Sequence, residues 1–236
     1  MLELQPQIIL SNLPLFLQGL LLTLKLTGYS LLIGLLLAMP LARLRVARNR
    51  NRWLSQTVWA FTYFFRGTPM LLQLLVLYYG LAQFELVRHS PFWEYLREPY
   101  WCALIAFSLN TCAYTTEIFA GSMRNIPHGE IEAARAYGMG ALTLLRRIIL
   151  PSALRRAIPS YSNEVILMLQ GSSIASAVTL MDLTGAGRSI YSEYYAPFEA
   201  FIFIGLVYLV LTFALVGLFK LLELRYLAYL APRPQR

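Results

Sequence analysis

Charge is scarce in this chain, and negative charge scarcer still. Only 14% of the residues are Asp, Glu, Lys or Arg, and the basic ones outnumber the acidic ones 20 to 12. With 58% hydrophobic residues and a mean hydropathy of +0.55, this excludes an ordinary soluble domain and points to a chain that crosses a membrane several times. Histidine is nearly absent, limited to His89 and His128, and the two cysteines, Cys102 and Cys112, share one apolar stretch. As parts of one helix the thiols would stand about 15 Å apart, too far for a disulfide, so both are read as small core residues. Two lone histidines make no metal framework. Also missing are a G-x-x-x-x-G-K-[ST] phosphate loop, a paired His and Glu zinc motif and a nucleophile elbow, so neither ATP binding nor catalysis is expected on this chain. The formal charge of +8 is not interleaved with stacking aromatics in a polar groove, which argues against a nucleic-acid partner.

What is present is a series of long apolar runs. A transmembrane helix needs roughly 20 mostly apolar residues. Five runs qualify, at about 16–42, 53–84, 101–123, 158–180 and 197–222, within a single domain covering 1–236. The start of the chain lacks the positive segment of a cleavable signal, so the first run is read as a retained span, with Lys25 snorkelling to an interface. The second run is interrupted by Arg66-Gly67-Thr68-Pro69, where proline removes a helix hydrogen bond and predicts a kink. Trp53, Trp59, Trp93, Trp101, Tyr194 and Tyr195 flank the runs as an interfacial belt would.

Loop charges give an orientation. Arg43, Arg45, Arg48, Arg50 and Arg52 fill the first loop, and Arg124, Arg135, Arg146, Arg147, Arg155 and Arg156 fill the third. The second loop mixes Arg88 and Arg97 with Glu85, Glu94 and Glu98, and the fourth sets Arg188 against Asp182, Glu193 and Glu199. The positive-inside rule then puts the N-terminus outside, the C-terminus in the cytoplasm and the 124–157 loop on the cytoplasmic side. The same arginines suit anionic membrane lipid.

That loop has helical character in two parts. Pro127 suits a helix start, Glu130 and Glu132 suit its first turns, and Ala133, Ala134 and Ala136 are good helix formers. Gly138 and Gly140 permit a reversal, after which a short helix over 141–149 is expected to end at Pro151. Ala134, Tyr137 and Met139 would offer a small apolar surface on this knob.

Glu132, Ala133, Ala134, Gly138, Ile148, Leu150 and Pro151 form the pattern E-A-A-x3-G-x9-I-x-L-P. It resembles the signature of membrane subunits of bacterial ATP-binding-cassette importers. Phe65-Arg66-Gly67-Thr68-Pro69, the run from Asn110 to Gly121, and Tyr161-Ser162-Asn163-Glu164-Val165-Ile166-Leu167 extend the resemblance over nearly the whole chain. It looks nearest to the polar and basic amino-acid branch, of the histidine/arginine/ornithine type. The resemblance implies an all-α integral membrane fold of type I importer permeases, with five transmembrane helices and a cytoplasmic coupling helix between spans three and four. It implies a bacterial inner-membrane permease subunit for amino acids, basic ones by branch. The expected partners are ATP-binding cassette subunits carrying ATP and Mg, a second permease chain, identical or related, and a periplasmic solute-binding protein, which outer-loop residues Asp182, Arg188, Glu193 and Glu199 could contact. Pro127, His128, Glu130, Glu132, Ala133, Ala134, Arg135 and Gly138 become the expected docking residues for the ATPase. The alternative class is an ion-coupled secondary transporter, which would need no such loop and usually carries internal repeats, of which none is evident.

Ionisable residues at membrane depth are functional candidates by default. Glu164 and Asn163 begin a polar stretch in the fourth span, and Ser160, Asn163, Glu164 and Gly171 share a helix face. A carboxylate there suits the ammonium or guanidinium of a basic amino acid, with a packing network involving Arg66 or Arg155 as the competing role. Asn110, Tyr114 and Glu117 share a face of the third span, where Glu117 equally suits an interhelical pair. Gln73, with Arg66 and Thr68, surrounds the expected kink.

Overall fold

The structure is a computed structural model that describes residues 6–46 and 52–227. Arg48 and Arg50 of the first loop, and Arg233 and Arg236 near the C-terminus, lie outside the described residues. Among the described residues every regular element is helical. A short α1 (Pro6–Ser11) leads into α2 (Leu13–Val46). Then α3 (Arg52–Gly67) breaks into α4 (Met70–Leu75), which unwinds through a π turn (Val76–Gly80) and a 3-10 turn (Leu81–Gln83). Two single-turn pieces, α5 (Glu85–Arg88) and α6 (Trp93–Leu96), precede α7 (Pro99–Arg124). The knob follows as α8 (His128–Ala136) and α9 (Ala141–Leu144). The remainder is α10 (Leu150–Gly171), a 3-10 stretch (Ser172–Val178), α11 (Leu183–Tyr194) and α12 (Pro197–Tyr226).

Small residues set the central packing. On α2 the buried positions Gly19, Thr23, Thr27, Ser30, Gly34, Ala38 and Ala42 recur every three or four residues and form one stripe. This stripe meets α7, because small side chains let two backbones approach where apolar surface alone gives no driving force in lipid. A Cβ on Gly34 would collide with Cγ2 of Thr111 and stand 3.1 Å from the Cys112 backbone nitrogen. Leu26 packs with Ala103 and Phe107, and Ala42 with Phe119 and Ala120, so α2 and α7 run parallel. α10 returns antiparallel to α7, with Met168 near Phe107 and Ala157 near Ala120.

α7 is therefore the buried middle of the molecule, and this explains its polarity. Its Ser108, Asn110, Thr111, Thr115 and Thr116 face protein instead of lipid, so they need not be apolar. α12 is the opposite case: only Ala200 and Ile204 of its thirty residues are buried. α2 and α12 are each long and apolar enough to cross a membrane alone. The α3–α4 pair and the α10–α11 pair reach that measure together, bent by 102° and 48°.

Four expectations are corrected. Pro69 marks a break of 102° between helices rather than a kink within one. Pro151 does not end a helix: the wider π turn at Leu145–Ile149 immediately before it makes room for the ring, and Pro151 sits in the first turn of α10. The helix that carries the fourth apolar run thus begins at Leu150, ahead of the run's start at 158, and is α-helical only to Gly171. Asp182 is not an exposed outer-loop residue. It is fully buried, and its Oδ1 accepts from the Gly185 N–H to cap α11.

The two ends of the bundle differ in charge. Arg43, Arg45, Arg52, Arg124, Arg147, Arg155 and Arg156 gather where α2 and α7 end and α3 and α10 begin. Glu85, Glu94, Glu98, Glu193 and Glu199 belong to the other end, beside Arg88, Arg97 and Arg188. Lys25 is exposed on α2.

Candidate functional site: a carboxylate at a broken helix

The break after Gly67 is held open by two amide side chains. Gln73 Nε2 donates to the Phe65 carbonyl at 2.9 Å, to the Thr68 carbonyl at 3.1 Å and to the Thr68 hydroxyl at 2.7 Å. Its Oε1 accepts from Asn110 Nδ2 at 3.1 Å, and Asn110 also donates to the Phe65 carbonyl at 3.2 Å. The carbonyls freed by Pro69 are thus satisfied by two amides, one from beyond the break and one from α7.

Beside this knot lies a cavity of about 380 Å³, lined by Arg66, Thr68, Met70, Asn110, Tyr114 and Glu164 among others. Glu164 projects from α10, buried at 6% exposure, and its Oε1 accepts from the Thr111 hydroxyl at 2.7 Å. No ion pair holds it among the described residues. Arg66 instead stacks over the Tyr114 ring at 5.3 Å, and the Tyr114 hydroxyl donates to the Arg66 carbonyl at 3.3 Å. The cavity therefore offers a carboxylate, an amide, a phenol face and broken-helix backbone within one small space. That combination suits a ligand bearing both a cationic and an anionic group.

The sequence candidates divide on this geometry. Asn110, Tyr114 and Glu164 line the cavity together. Gln73 stands behind Asn110 as part of its support, buried at 8%. Asn163 is exposed and does not line the cavity. Glu117 lies away from it, paired with Arg45 at 2.8 Å near the basic end. Thr111 and Met168 were not among the sequence candidates, and Leu167 was placed only on the Glu164 face of its helix. Nothing in sequence announces a hydrogen bond between residues as far apart as Thr111 and Glu164, although Thr111 lies inside the polar run beginning at Asn110.

The knob at the basic end is well defined. Pro127 precedes α8 in extended conformation, and the helix closes with a paired reversal. The Met139 N–H donates to the Ala134 carbonyl at 3.1 Å and the Gly138 N–H to the Arg135 carbonyl at 2.9 Å, with Gly138 at φ +75°. These two bonds make a Schellman cap, which needs the left-handed residue that glycine supplies. His128, Glu132, Ala133, Arg135, Tyr137 and Gly138 are exposed, Tyr137 at 87%. Ala134 is corrected: it is 5% exposed and packs inward, so of the three residues expected to form the apolar surface only Tyr137 is exposed, with Met139 half-buried. Glu130 reaches Arg156 of α10 at 3.4 Å, tying the knob to the helix that carries Glu164.

Comparison with known proteins decides the family. The model of binding-protein-dependent transport system inner membrane components matches residues 30–227. The chain belongs to this family. It is a membrane permease component of an ATP-binding-cassette transporter, in which ATP hydrolysis falls to a separate subunit. It is 48% identical over 207 residues to the octopine transport system permease protein OccM of Rhizobium meliloti, covering 88% of this chain and 84% of that one. It is 47% identical over 215 residues to the histidine/lysine/arginine/ornithine transport system permease protein HisM of Escherichia coli K12, covering 91% and 90%. A crystal structure of an amino acid ABC transporter with histidines superposes at a TM-score of 0.83 and 31% identity, covering 95% of this chain and all of that one. The permease fold extends to the MetNI methionine transporter in its inward-facing form, at a TM-score of 0.68 and 19% identity.

Proposed function

We propose that this permease passes basic amino acids across the bacterial inner membrane, with Glu164 as the group that receives their positive charge. The observation that carries this reading is a buried carboxylate, opening on a cavity and held by a neutral hydroxyl, with no cation in ion-pair contact among the described residues. A carboxylate so placed is costly unless a cation joins it, and a guanidinium or ammonium supplies that cation. Asn110, whose Nδ2 hydrogens are already donated, would offer its Oδ1 to the α-amino group. The relatives named for octopine and for histidine, lysine, arginine and ornithine support the substrate class.

The membrane arrangement in this proposal has five crossings: α2, the broken α3–α4 pair, α7, α10 with its 3-10 continuation, and α12. The basic end faces the cytoplasm, placing the N-terminus outside and the C-terminus inside. α8 is the coupling helix, and His128, Glu132, Ala133, Arg135 and Gly138 would seat in a groove of the ATPase that holds ATP and Mg. Glu130, through Arg156, would pass its motion to α10. A second permease chain completes the pathway, and a solute-binding protein meets the outer end. Arg188, Glu193 and Glu199 are charged residues of that end, and Asp182 is not among the exposed ones.

The test is ATP-dependent uptake in proteoliposomes holding this chain with its ATPase, second permease and binding protein. Labelled arginine and ornithine are expected to enter faster than glutamine at equal concentration. Preferential uptake of a neutral or acidic amino acid would sink the proposal.

A further inference from the structure

At the basic end, the ends of α2, α3 and α7 leave a recess of about 680 Å³ between them. Arg45, Arg52 and Arg124 line it, with Ser55, Gln56 and Trp59. Of the three guanidinium groups only Arg45 has a carboxylate partner, Glu117, among the described residues. Two exposed arginines therefore face one polar space with no ion pair of their own among the described residues, Glu117 being shared at longer range by Arg124. The Ser55 hydroxyl already donates to the Arg45 carbonyl, which leaves the guanidinium groups and the exposed Gln56 amide as the available donors.

The rim next to these donors is aromatic. Trp59, 48% exposed, stacks on Tyr63, 69% exposed, with ring centroids 5.2 Å apart and planes at 28°. The pair lies about two and three turns along α3 from Arg52, and indole and phenol rings favour a membrane boundary. A ligand that satisfies the whole recess must bring an oxyanion for the arginines and an apolar portion for the rings. Guanidinium groups bind phosphate oxygens through paired N–H donors, and basic pockets between membrane helices hold lipid headgroups in this way. Free phosphate offers the same oxyanion but makes no use of Trp59 and Tyr63.

We propose that this recess binds the phosphate of an anionic phospholipid, with Arg52 and Arg124 as its donors and Trp59 and Tyr63 against the glycerol and upper acyl region. The bound phosphate would stand beside Arg45, whose bond to Glu117 joins α2 to α7, so lipid and ion pair would hold the same three helix ends together. The proposal does not depend on which solute is carried.

Native mass spectrometry of the full-length chain in its transporter complex, with phosphatidylglycerol and phosphatidylcholine as probes, tests it. Phosphatidylglycerol is expected to be retained more strongly. Arg52→Gln and Arg124→Gln should each weaken it about fivefold, and together about 25-fold. Arg43→Gln removes an exposed guanidinium at the same end but outside the recess, and should change nothing. Arg52→Lys and Arg124→Lys keep the charge without the paired donors and should lose less than the Gln variants. Three results would overturn the site: equal retention of the two lipids, an Arg43→Gln loss as large as that of Arg52→Gln, or displacement of the lipid by inorganic phosphate at matched concentration. The first two indicate diffuse charge, and the third a soluble phosphate ligand. An uptake assay that rejects basic amino acids leaves all these outcomes unaffected.

Discussion

Nε of Arg45 lies 2.8 Å from Oε1 of Glu117, and the Thr62 hydroxyl donates to the same oxygen at 2.9 Å. Three helices are joined by this one carboxylate: α2 through Arg45, α3 through Thr62 and α7 through Glu117. The two charged side chains are 22% and 17% exposed, so the pair is partly desolvated and less screened than a surface bridge. It sits at the basic end, while Glu164 on α10 opens on the cavity at the helix break. Two carboxylates on facing helices therefore differ in surroundings, one paired with Arg45 and the other without an ion pair among the described residues.

The first prediction concerns that pair. Glu117→Gln keeps an acceptor for Thr62 but leaves Arg45 without its carboxylate, beside a recess that already holds two other arginines. Loss of about 1–2 kcal/mol is expected. Arg45→Gln leaves the carboxylate with Thr62 alone and should cost about 2–3 kcal/mol. Thermal unfolding of both single variants and the double variant in detergent measures the coupling. If the two losses simply add in the double variant, the ion pair contributes nothing.

How much of this was legible in sequence follows the range of the cause. Pro69 and Gly138 act on their own backbone, and both were readable: one marks a helix break, the other a helix stop. The size of the break was not, because it is held by Gln73 and by Asn110, the latter from a different helix. Pro151 was misread since proline usually ends a helix, and only the preceding π turn removes the clash. Asp182 looked like an outer-loop acid because it follows the end of the fourth apolar run at about 180. Its burial comes from α2, where the Thr23 hydroxyl accepts from the Leu183 N–H at 3.0 Å and Gly19 leaves room for the Asp182 carbonyl. The family signature was local and fully readable. The separate roles of Glu117 and Glu164 were not, because each depends on partners more than fifty residues away.

Glu164→Gln supplies the second prediction. The amide oxygen still accepts from Thr111, so packing is kept while the charge is removed. Uptake of arginine should fall at least about tenfold, the scale of one lost charge-assisted hydrogen bond. ATP hydrolysis without solute should stay within about twofold, since the knob is untouched. Comparing the two rates in one proteoliposome preparation decides the matter, and arginine uptake equal to wild type removes Glu164 from the pathway.

The third prediction uses two glycines on one helix. Gly34 faces α7, where an added Cβ collides with Thr111 and crowds the Cys112 nitrogen at 3.1 Å and the Ser108 carbonyl at 3.2 Å. Backbone atoms cannot move aside cheaply, so Gly34→Ala should destabilise by about 1–3 kcal/mol. Gly28 has nothing within 4 Å of an added Cβ, and Gly28→Ala should be neutral or gain up to about 1 kcal/mol from helix propensity. Melting temperatures of the two variants should therefore move in opposite directions or separate clearly. Equal shifts would mean that α2 does not approach α7 through Gly34.

Gly138 gives the last prediction, and it separates backbone from surface. At φ +75° it lies where a side chain costs roughly 1–2 kcal/mol, yet no atom of this chain lies within 4 Å of an added Cβ. Gly138→Ala should therefore weaken the cap of α8 without any steric clash in the isolated chain. Gly138→Asn tolerates the left-handed conformation, so it should restore the cap while adding a side chain to the exposed face. If the knob docks closely on the ATPase, both variants should lose solute-stimulated ATP hydrolysis, and Asn should not rescue it. If only the cap matters, Asn should recover activity and Ala should not. Hydrogen exchange across His128–Ala136 reports the cap, and co-purification of the ATPase reports the docking. Full activity of both variants would show that Gly138 serves neither purpose.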